Sequence, residues 1–503
     1  MRDITADVVI VGAGFSGCLS LHHMRIRGFS AKIIEAQDDF GGVWNLNRYP
    51  GVRVDCEVPS YQLTSPEIFR DFSFDDFYPT GDDLRNYFNH IDERWNLRED
   101  TIFHQRVTGA NYDGKTKQWR LTTNKGLTAT ARFVIFAVGT TIKAHVPEFP
   151  NLNTFQGRLI QPSSWPEQLD LDGKRIGVIG QGASGVQVFE KLAGQGHDVT
   201  VFVRTPPVAV PLKNRRITEA EHKELKTQHE ANPTRSKYGD EAGYPYIPYP
   251  KSLHDESPAQ NQALMEKLWK HGGVGIFACN YVDVTTDVGA NRAFYDFWVD
   301  KTRIRMADEV KKNILAPLRM VQPPGHKEMA DRGELLRAHG WTEFTSDIEE
   351  AASKTLHELD VVIMATGYDS LTGSLYDMNI TDKHGKTLQE KWKNGVRTSL
   401  APTSLTTAPP FVEMQVEWID KLLDKMEKSN IASVEPTESE ADDWYRKLRS
   451  TFDLSLCSKW PSWWVGSNIP GKRQEPLIWF GGVKAWALEC SEALGDWSRF
   501  HTE

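Results

Sequence analysis

The stretch DVVIVGAGFSG at residues 7–17 decides the fold class of this 503-residue chain. Its apolar run is typical of a parallel strand buried on both faces. The next stretch, CLSLHHMRIRG at residues 18–28, predicts a helix, and AKIIEA at residues 31–36 predicts a second strand. Together they form a strand, helix and strand unit of an α/β protein.

Glycines hold fixed positions in the turn between the first strand and the helix. Gly12, Gly14 and Gly17 have the G-x-G-x-x-G spacing of a dinucleotide-binding turn. In that pattern the first glycine allows the tight turn, the second lets the backbone approach a pyrophosphate, and the third lets the helix pack on the strand. Glu35 ends the second strand, where a carboxylate can accept hydrogen bonds from ribose hydroxyls. The first unit is therefore predicted to bind a dinucleotide.

A second unit of the same kind occupies RIGVIGQGASGVQVFEKLAGQGHDVTVFVRTP at residues 175–206. Its turn comprises Gly180, Gln181, Gly182, Ala183, Ser184 and Gly185. Arg204 and Thr205 end its second strand, where the first unit has a carboxylate. A guanidinium there suits a 2′-phosphate through charge-assisted bidentate hydrogen bonds, so this site is predicted to prefer NADPH to NADH. The first unit, whose second strand ends in a carboxylate, fits FAD. The second unit, whose second strand ends in an arginine, fits NADPH.

Composition narrows the class of protein. The 59 basic and 68 acidic residues give a net charge of −9, which disfavours a nucleic-acid partner. Five cysteines without a C-x-x-C pair indicate reduced thiols, so neither a metal site nor a disulfide framework is expected. Apolar runs fall far short of the ~20 residues that span a bilayer, and no signal peptide precedes the first strand. We expect a cytoplasmic protein without a membrane span; its oligomeric state is not decided.

The predicted fold is α/β, with two Rossmann-like dinucleotide-binding domains and a helical insertion. ARFVIFAVG (131–139) and LDVVIMATGYD (359–369) are apolar strands that end in glycine, as expected of connectors between the two domains. The predicted boundaries are an FAD-binding domain at 1–144 and 375–503, an NADPH-binding domain at 145–212 and 327–374, and the insertion at 213–326.

Several longer motifs carry a family resemblance over nearly the whole chain. They are GGVWNLNRYPGVRVDCEVPSY (41–61), FQGRLIQPSSWP (155–166), ATGYDSLTGSLYDMNI (365–380), LQEKWKNGVR (388–397) and SWWVGSNIPGK (462–472). In this order they resemble the class B flavoprotein monooxygenases of the Baeyer-Villiger type, which are related to the flavin-containing monooxygenases. The Tyr49-Pro50-Gly51 turn and the Trp165-Pro166 pair resemble the Baeyer-Villiger branch.

The resemblance implies an activity. NADPH would reduce FAD, the reduced flavin would capture O2 as a peroxide, and the peroxide would attack a ketone to give an ester or lactone. The protein would orient the flavin, exclude water and stabilise developing oxyanions. The family's range of substrates, together with 16 Trp, 23 Phe and 14 Tyr in the chain, leads us to expect a bulky ketone of secondary metabolism, although aromatic core packing is the alternative explanation of that content.

The resemblance also implies roles for individual residues. Those that match positions around the flavin are Val43, Trp44, Asp55, Cys56 and Tyr61, with Val107 near the adenine part. Those that match the nicotinamide side are Arg53, Val54, Asp55, Lys327 and Trp463. Asp55, Gln161 and Lys327 fall on positions tied to catalysis, with Asp55 orienting a cationic partner. Trp463 would close over the nicotinamide nucleotide, although packing within a Trp-rich tail (Trp460, Trp463, Trp464 and Trp479) is the alternative.

Three departures from the family pattern bear on activity. The fingerprint histidine is Gln161, which keeps hydrogen bonding but cannot titrate, so impaired coupling is expected. The family's Lys-Arg pair falls on Lys327 and Glu328, and a glutamate beside an anionic intermediate opposes it; Arg319 or Arg332 substitutes if the alignment is shifted. At NGVRTSLAPTSLTT (394–407) a strand and glycine turn of the FAD domain are missing.

These departures leave two alternatives to ketone oxidation. In the first alternative, the same flavin peroxide oxygenates a sulfide or an amine, or hydroxylates its substrate. These reactions tolerate Glu328 better, because they do not require stabilisation of a negatively charged ketone adduct. The other is a degenerate flavoprotein without catalytic activity.

Overall fold

The first apolar run forms a longer strand than its motif predicts. Strand β1 (Asp3–Val11) continues through the glycine turn into helix α1 (Phe15–Ile26), and β2 (Ala31–Ile34) lies parallel to β1. Val8, Val9 and Ile10 have no solvent exposure, as expected for a strand covered on both faces. The structure, a computed structural model, describes residues 3–149, 151–203, 206–232, 237, 246–318, 357–400, 408–459 and 461–503.

The rest of the first segment adds four strands and three helices, some of which the sequence did not reveal. The strands are β3 (Thr101–Ile102), β4 (Val107–Asp113), β5 (Gln118–Thr123) and β6 (Thr128–Phe136). The helices are α2 (Val43–Leu46), α3 (Pro66–Phe69) and α4 (Gly81–Trp95). The signal for α4 was present, because Thr80 and Asp83 form a reciprocal capping box at its start.

The second glycine turn belongs to a separate parallel sheet. Its elements are β7 (Arg158–Ile160), β8 (Arg175–Ile179), α5 (Ala183–Gly194), β9 (Asp198–Phe202) and β10 (Val361–Met364). The strand order is β7-β10-β8-β9, so the late strand β10 inserts between β7 and β8. Two units of the predicted type therefore exist, and the α/β fold class is confirmed.

Helices dominate the region between β9 and β10, as expected for an insertion. They are α6 (Glu219–Ala231), α7 (Pro258–His271), α8 (Gly275–Ala278), α9 (Val288–Arg303) and α10 (Glu309–Leu315). Phe294, Tyr295 and Trp298 of α9 are almost fully buried and form the centre of a core of their own. The apolar face of α9 was not recognised as helical in the sequence.

The C-terminal part returns to the first sheet. Its elements are α11 (Thr372–Tyr376), β11 (Ile380–Thr381), α12 (Leu388–Lys391), α13 (Ala408–Lys428), β12 (Val434–Pro436), α14 (Glu438–Leu454), α15 (Val483–Gly495) and β13 (Phe500–Thr502). The first sheet has the order β11-β4-β5-β6-β1-β2-β3, and α13 packs on α1. Strands β12 and β13 form a separate antiparallel pair.

In the described part of the chain, the last residues of strand β6 have a neighbouring strand on only one side. Strand β6 pairs with β5 only over 128–131, although it follows β1 as far as Phe136. Residues 132–136 are half-buried rather than buried. A cavity of ≈ 350 Å³ lies beside them, lined by Val8, Trp119, Phe133, Val134, Ile135, Phe136, Ile419 and Leu423. This open apolar edge lies in the predicted FAD domain, and the loss of a strand from that domain stays a sequence prediction.

Two smaller sequence expectations can be compared with the structure. All five cysteines are free thiols. In the residues that the structure describes, no helix is both long and apolar enough to cross a membrane.

Candidate active site

Two of the three glycines in the first turn, Gly12 and Gly17, leave no room for a side chain. Gly12 has a φ of +105°, and a Cβ there would lie 2.5 Å from the Ala137 carbonyl oxygen. A Cβ on Gly17 would lie 1.9 Å from the Gly12 carbonyl oxygen, so helix α1 packs directly on the turn. Gly14 faces Gly42, whose Cβ would lie 3.1 Å from the Gly14 Cα. This bare backbone at the start of α1 suits a pyrophosphate, because the first amides of a helix attract anions.

Glu35 occupies the position predicted for a ribose-binding carboxylate. It is buried, with its Oε2 accepting a hydrogen bond from the Ala13 N–H at 2.6 Å and its Oε1 accepting one from the Gln37 N–H at 2.7 Å. Burial raises the pKa of this carboxyl group, against the lowering effect of the backbone donors. Glu35 thus braces the glycine turn from the end of β2, and ribose binding stays a prediction.

The second glycine turn repeats the geometry of the first. Gly180 has a φ of +103° and would place a Cβ 2.3 Å from the Ala365 carbonyl oxygen, while a Cβ on Gly185 would lie 2.2 Å from the Gly180 carbonyl oxygen. Around Gly182 nothing lies within 4 Å of a Cβ position. Ala183 is the first residue of α5. The turn is closed towards the sheet and open in front of the helix, as a dinucleotide site requires.

Gln181 in this turn provides an independent sign of a bound group. The residue is 6% exposed, yet neither its amide oxygen nor its amide nitrogen has a hydrogen-bond partner among the described residues. A buried amide without partners is costly, so a polar ligand is expected to satisfy it. The residues present fit a dinucleotide at this turn.

The 41–61 segment gathers the aromatic and acidic residues predicted around the flavin. Trp44 Nε1 donates a hydrogen bond to the Tyr61 hydroxyl at 3.2 Å, and Tyr61 packs edge-on against Phe15 at the start of α1. The Cys56 thiol donates to Asp55 Oδ1 at 3.4 Å. Burial raises the pKa of both Cys56 and Tyr61, so both stay protonated at neutral pH and can donate hydrogen bonds.

Two further predicted flavin residues lie nearby in the fold. Val43 is the first residue of α2, directly after the Gly41-Gly42 pair that faces the first turn. Val107 begins β4 and belongs to the same buried cluster as Val11 and Ile34, the last residues of β1 and β2. Both positions are therefore at the edge of the sheet from which the first turn emerges.

The second half of the same segment contacts helix α5, which follows the second turn. Tyr49 donates a hydrogen bond from its hydroxyl to Gln187 Oε1 at 2.9 Å, and Gln187 Nε2 donates to the Arg53 carbonyl oxygen at 3.1 Å. Val54 is buried, and its N–H donates to the Pro79 carbonyl oxygen at 3.0 Å. These contacts bring Arg53, Val54 and Asp55 to the junction of the two dinucleotide units.

Tyr368, in the ATGYD connector, joins more segments than the sequence indicated. Its hydroxyl donates to Asn47 Oδ1 at 3.1 Å, and the side chains of Ser184 and Ser163 lie near it and act to lower its pKa. Burial raises the pKa of this phenol.

Gln161, directly after β7, is half-buried, and its carbonyl oxygen accepts a hydrogen bond from the Ser164 N–H at 3.0 Å. The fingerprint thus lies against the same junction.

The tail that contains Trp463 docks on this connector. Asn468 Nδ2 donates to the Tyr368 carbonyl oxygen at 2.8 Å, and Lys472 Nζ pairs with Asp369 Oδ1 at 2.6 Å. Trp463 is half-exposed and meets Trp464 edge-on, at the side of a cluster around Leu371. Packing of Trp463 is therefore observed, while its closure over a nucleotide stays a prediction. Trp479 is buried against Trp444 and belongs to the core.

Several predicted residues lie outside the described part of the chain. They are Arg204, Thr205, Arg319, Lys327, Glu328, Arg332 and Trp460. The preference for NADPH and the charge reversal at Glu328 therefore remain sequence predictions.

Sequence reasoning missed Asn47, Gln187, Tyr368, Asn468 and Lys472. No local signal marked Gln187, because it lies on the opposite side of α5 from Phe189 and Leu192, beside the polar residues Ser184 and Lys191.

Away from the junction, one surface group has the ligand types of a metal site. Atoms of His254, Asp283 and Asp287 lie within 4.8 Å of one another. Asp287 Oδ1 already accepts from the Ala290 N–H as the cap of α9, and Asp283 accepts from the Ser252 hydroxyl. Helix capping accounts for this arrangement.

Two glycine turns on separate sheets, joined through the 41–61 segment, define an oxidoreductase that binds two dinucleotides. Known proteins narrow this class. A family model described as flavin-binding monooxygenase-like matches residues 5–209. The FAD-binding monooxygenase acrE of Aspergillus aculeatus is 34% identical over 527 aligned residues, covering 98% of this chain and 88% of that protein.

Two further comparisons agree. The Baeyer-Villiger monooxygenase of Pseudooceanicola batsensis is 30% identical over 504 residues, covering 95% of this chain and 92% of that protein. A crystal structure of cyclohexanone monooxygenase from Rhodococcus sp. Phi1, bound to NADP⁺, matches with a TM-score of 0.91 at 26% identity, covering 100% of both chains. The chain belongs to the flavin-binding monooxygenases of the Baeyer-Villiger type, and it is an FAD-dependent oxidoreductase.

Proposed function

We propose that this enzyme uses FAD, NADPH and O2 to insert one oxygen atom next to a ketone carbonyl, giving an ester or lactone. The observation that carries the proposal is the junction itself. The 41–61 segment holds Asp55 between the first glycine turn and the second, with Gln187 contacting the segment from the second side. Such a junction brings a flavin and a nicotinamide together.

The overall reaction balances with these cofactors. NADPH and a proton supply two electrons and two protons; one atom of O2 enters the bond between the carbonyl carbon and its neighbour, and the other leaves as water. Bound FAD supplies the oxygen-activating chemistry once NADPH has reduced it. The substrate that we propose is a bulky ketone of secondary metabolism in the cytoplasm, which the aromatic content supports.

The residues at the junction have separate tasks in this proposal. The backbone amides following Gly12 and Gly180 hold the two pyrophosphates. The buried side-chain amide of Gln181 hydrogen-bonds with the nicotinamide nucleotide. Asp55 orients a cationic partner beside the reacting centre, and by resemblance Lys327 holds the NADPH phosphate. Trp44 and Tyr61 form an apolar wall that excludes water from the flavin.

We also propose the domain division that the sequence predicts. Residues 1–144 and 375–503 would bind FAD, residues 145–212 and 327–374 would bind NADPH, and residues 213–326 would form the insertion. The return of β11 to the first sheet and of β10 to the second supports this division.

The test is turnover of a ketone panel, from small cyclic ketones to bulky polycyclic ones, with NADPH under ¹⁸O2. The proposal expects an ester or lactone carrying one ¹⁸O atom, with one NADPH consumed per product. NADPH oxidation that yields only hydrogen peroxide across the whole panel contradicts it.

A second candidate is oxygenation of a sulfide or amine by the same cofactors. The observation in its favour is Glu328, which falls where the family has an arginine and which opposes a negatively charged ketone adduct. A thioether panel beside the ketone panel separates the two, because this candidate expects sulfoxides and no esters.

A further inference from the structure

A single polar side chain crosses from helix α5 to the loop that precedes Asp55. Gln187 is 5% exposed, and it lies on the opposite side of α5 from Phe189 and Leu192, which face the core. Its Oε1 accepts from the Tyr49 hydroxyl at 2.9 Å, and its Nε2 donates to the Arg53 carbonyl oxygen at 3.1 Å. Both ends of the amide are thus used by one loop, residues 49–53.

The backbone of that loop lies directly on α5. Gly51 has a φ of +85°, and a Cβ there would lie 2.7 Å from the Gln187 carbonyl oxygen. On its other side the loop is fixed by the Val54 N–H, which donates to the Pro79 carbonyl oxygen at 3.0 Å. The position of Arg53 and Val54 is therefore set between α5 and residue 79, and Asp55 follows them directly.

Tyr49 extends the connection to the second glycine turn. The Ser184 side chain lies near the Tyr49 hydroxyl and acts to lower its pKa, against the raising effect of burial. Ser184 precedes Gln187 by three residues on the same helix and belongs to the turn that is proposed to hold the NADPH pyrophosphate. Tyr49 thus lies beside the turn, and hydrogen bonds run from Tyr49 through Gln187 to the Arg53 carbonyl oxygen.

We propose that Gln187 is a positioning residue that fixes the Arg53 to Asp55 backbone relative to the nicotinamide site. It acts through the loop and not by touching a reacting atom. The inference rests on the proposed function, because it assigns the effect of Gln187 to the transfer of hydride from NADPH to FAD. Removing its amide is expected to leave both cofactors bound but misaligned, and small misalignments slow such a transfer strongly.

The test compares Q187L and Y49F with the wild-type holoenzyme. Leucine keeps most of the glutamine volume but loses both hydrogen bonds, whereas Y49F loses only the Tyr49 bonds. Anaerobic stopped-flow reduction at saturating NADPH is expected to be about tenfold slower or more in Q187L, with a smaller loss in Y49F. The double variant is expected to lose less than the product of the two single effects, because both act through one connection.

Three readouts separate positioning from general damage. FAD content per chain, the melting temperature and the rate of flavin reduction by dithionite are expected to stay near wild-type values. Q195L, at the exposed C-terminal cap of α5, is the matched control, and NADPH is expected to reduce its flavin at the wild-type rate.

Each of the following results would overturn either the inference about Gln187 or the proposed function. A Q187L enzyme that NADPH reduces as fast as the wild type overturns the inference, and so does strict additivity of the two substitutions. If Q187L fails to fold, Y49F decides alone, and a wild-type reduction rate in Y49F overturns the inference. A wild-type protein that holds FAD but is not reduced by NADPH overturns the proposed function, and this result is distinguishable from the others.

Discussion

Gly12 and Gly28 share a positive φ, of +105° and +83°, but differ in what surrounds them. A Cβ on Gly12 would lie 2.5 Å from a backbone oxygen, whereas nothing lies within 4 Å of a Cβ on Gly28. Conformation alone would make both positions equally sensitive to alanine. The clash at Gly12 falls on the turn that is proposed to face the flavin. Comparing the two glycines therefore separates an effect on cofactor binding from an effect on backbone conformation.

We predict that Gly12→Ala lowers the FAD bound per chain about tenfold, because the turn must shift away from the pyrophosphate. Gly28→Ala is expected to keep its flavin and to cost about 1 kcal/mol of stability. The ratio of absorbance at 450 nm to that at 280 nm in purified protein measures the flavin. Full flavin content in Gly12→Ala would show that the first turn does not bind it.

A second residue-scale prediction concerns the departure at Gln161. By resemblance, a histidine here links cofactor binding to domain motion. Gln161→His is therefore expected to raise the share of NADPH that yields oxygenated product rather than hydrogen peroxide. The check is product and peroxide measured together per NADPH consumed, with Gln156→His on the same segment as a control. An unchanged ratio would mean that this position does not govern coupling here.

What the sequence predicted at this scale depended on local pattern. Both glycine turns follow from spacing within about 25 residues, and the structure contains both. Gln187 could not be assigned in the same way, because its partner Tyr49 is 138 residues away in the chain. A contact between segments so far apart in the chain leaves no trace in the local pattern of either segment.

At the scale of elements, helix α13 is anchored by a buried acid. Glu413 accepts hydrogen bonds from the Thr64 N–H and the Thr64 hydroxyl, both at 2.6 Å, and its Oε2 lies 3.5 Å from Lys237 Nζ. Burial raises the pKa of Glu413, with Lys237 as the largest opposing effect. This carboxylate ties the C-terminal part to the loop after residue 61.

Glu413→Ala is expected to lower the free energy of unfolding by about 1–3 kcal/mol, because it leaves buried Thr64 donors without a partner. Asp424→Ala on the same helix removes only an exposed pair with Lys428 and is expected to cost less than about 1 kcal/mol. Urea denaturation of both variants measures the difference. Equal losses would show that Glu413 is not an anchor.

Helix α7 contributes a pH-dependent contact to the loop after Asp55. His271 Nε2 lies 3.4 Å from Oε1 of the buried Glu57, and this hydrogen bond raises the pKa of His271, while burial and the nearby Arg215 and Lys267 lower it. A raised pKa means that the pair stabilises the fold below the ordinary histidine value of about 6.5. That contribution is lost as pH rises through the raised pKa in the folded state.

We therefore predict that His271→Asn is less stable than the wild type at pH 6 and that the difference shrinks by pH 8.5. Since His271 is half-exposed, the difference at pH 6 is expected to be about 1 kcal/mol or less. Urea midpoints at both pH values give the result, with the exposed His384→Asn as control. A gap that widens with pH would reverse the assigned sign.

The helices and strands were predicted unevenly, for a physical reason. The two units with a glycine turn were recognised from the sequence. Strands β4 and β5 were missed because VTGANYD and QWRLTT are short, and their pairing in an antiparallel sheet is not encoded in either alone. Helix α4 was missed although its capping box was readable.

At the scale of the whole molecule, the open edge of β6 bears on whether the flavin is held at all. Residues 132–136 run beside β1 directly towards Ala137, whose carbonyl faces Gly12. In the part of the chain that the structure describes, only β1 supports this stretch within the sheet. A weakened strand next to the first turn is the physical basis for the alternative of a non-catalytic flavoprotein.

The visible spectrum of the purified protein tests the central claim most directly. It is recorded with and without added FAD, after anaerobic addition of NADPH, and again after admission of air. We predict a bound flavin that NADPH bleaches and air restores, which requires both glycine turns and the junction between them. Protein that stays colourless after incubation with FAD, or bound flavin that NADPH does not bleach, would contradict the account.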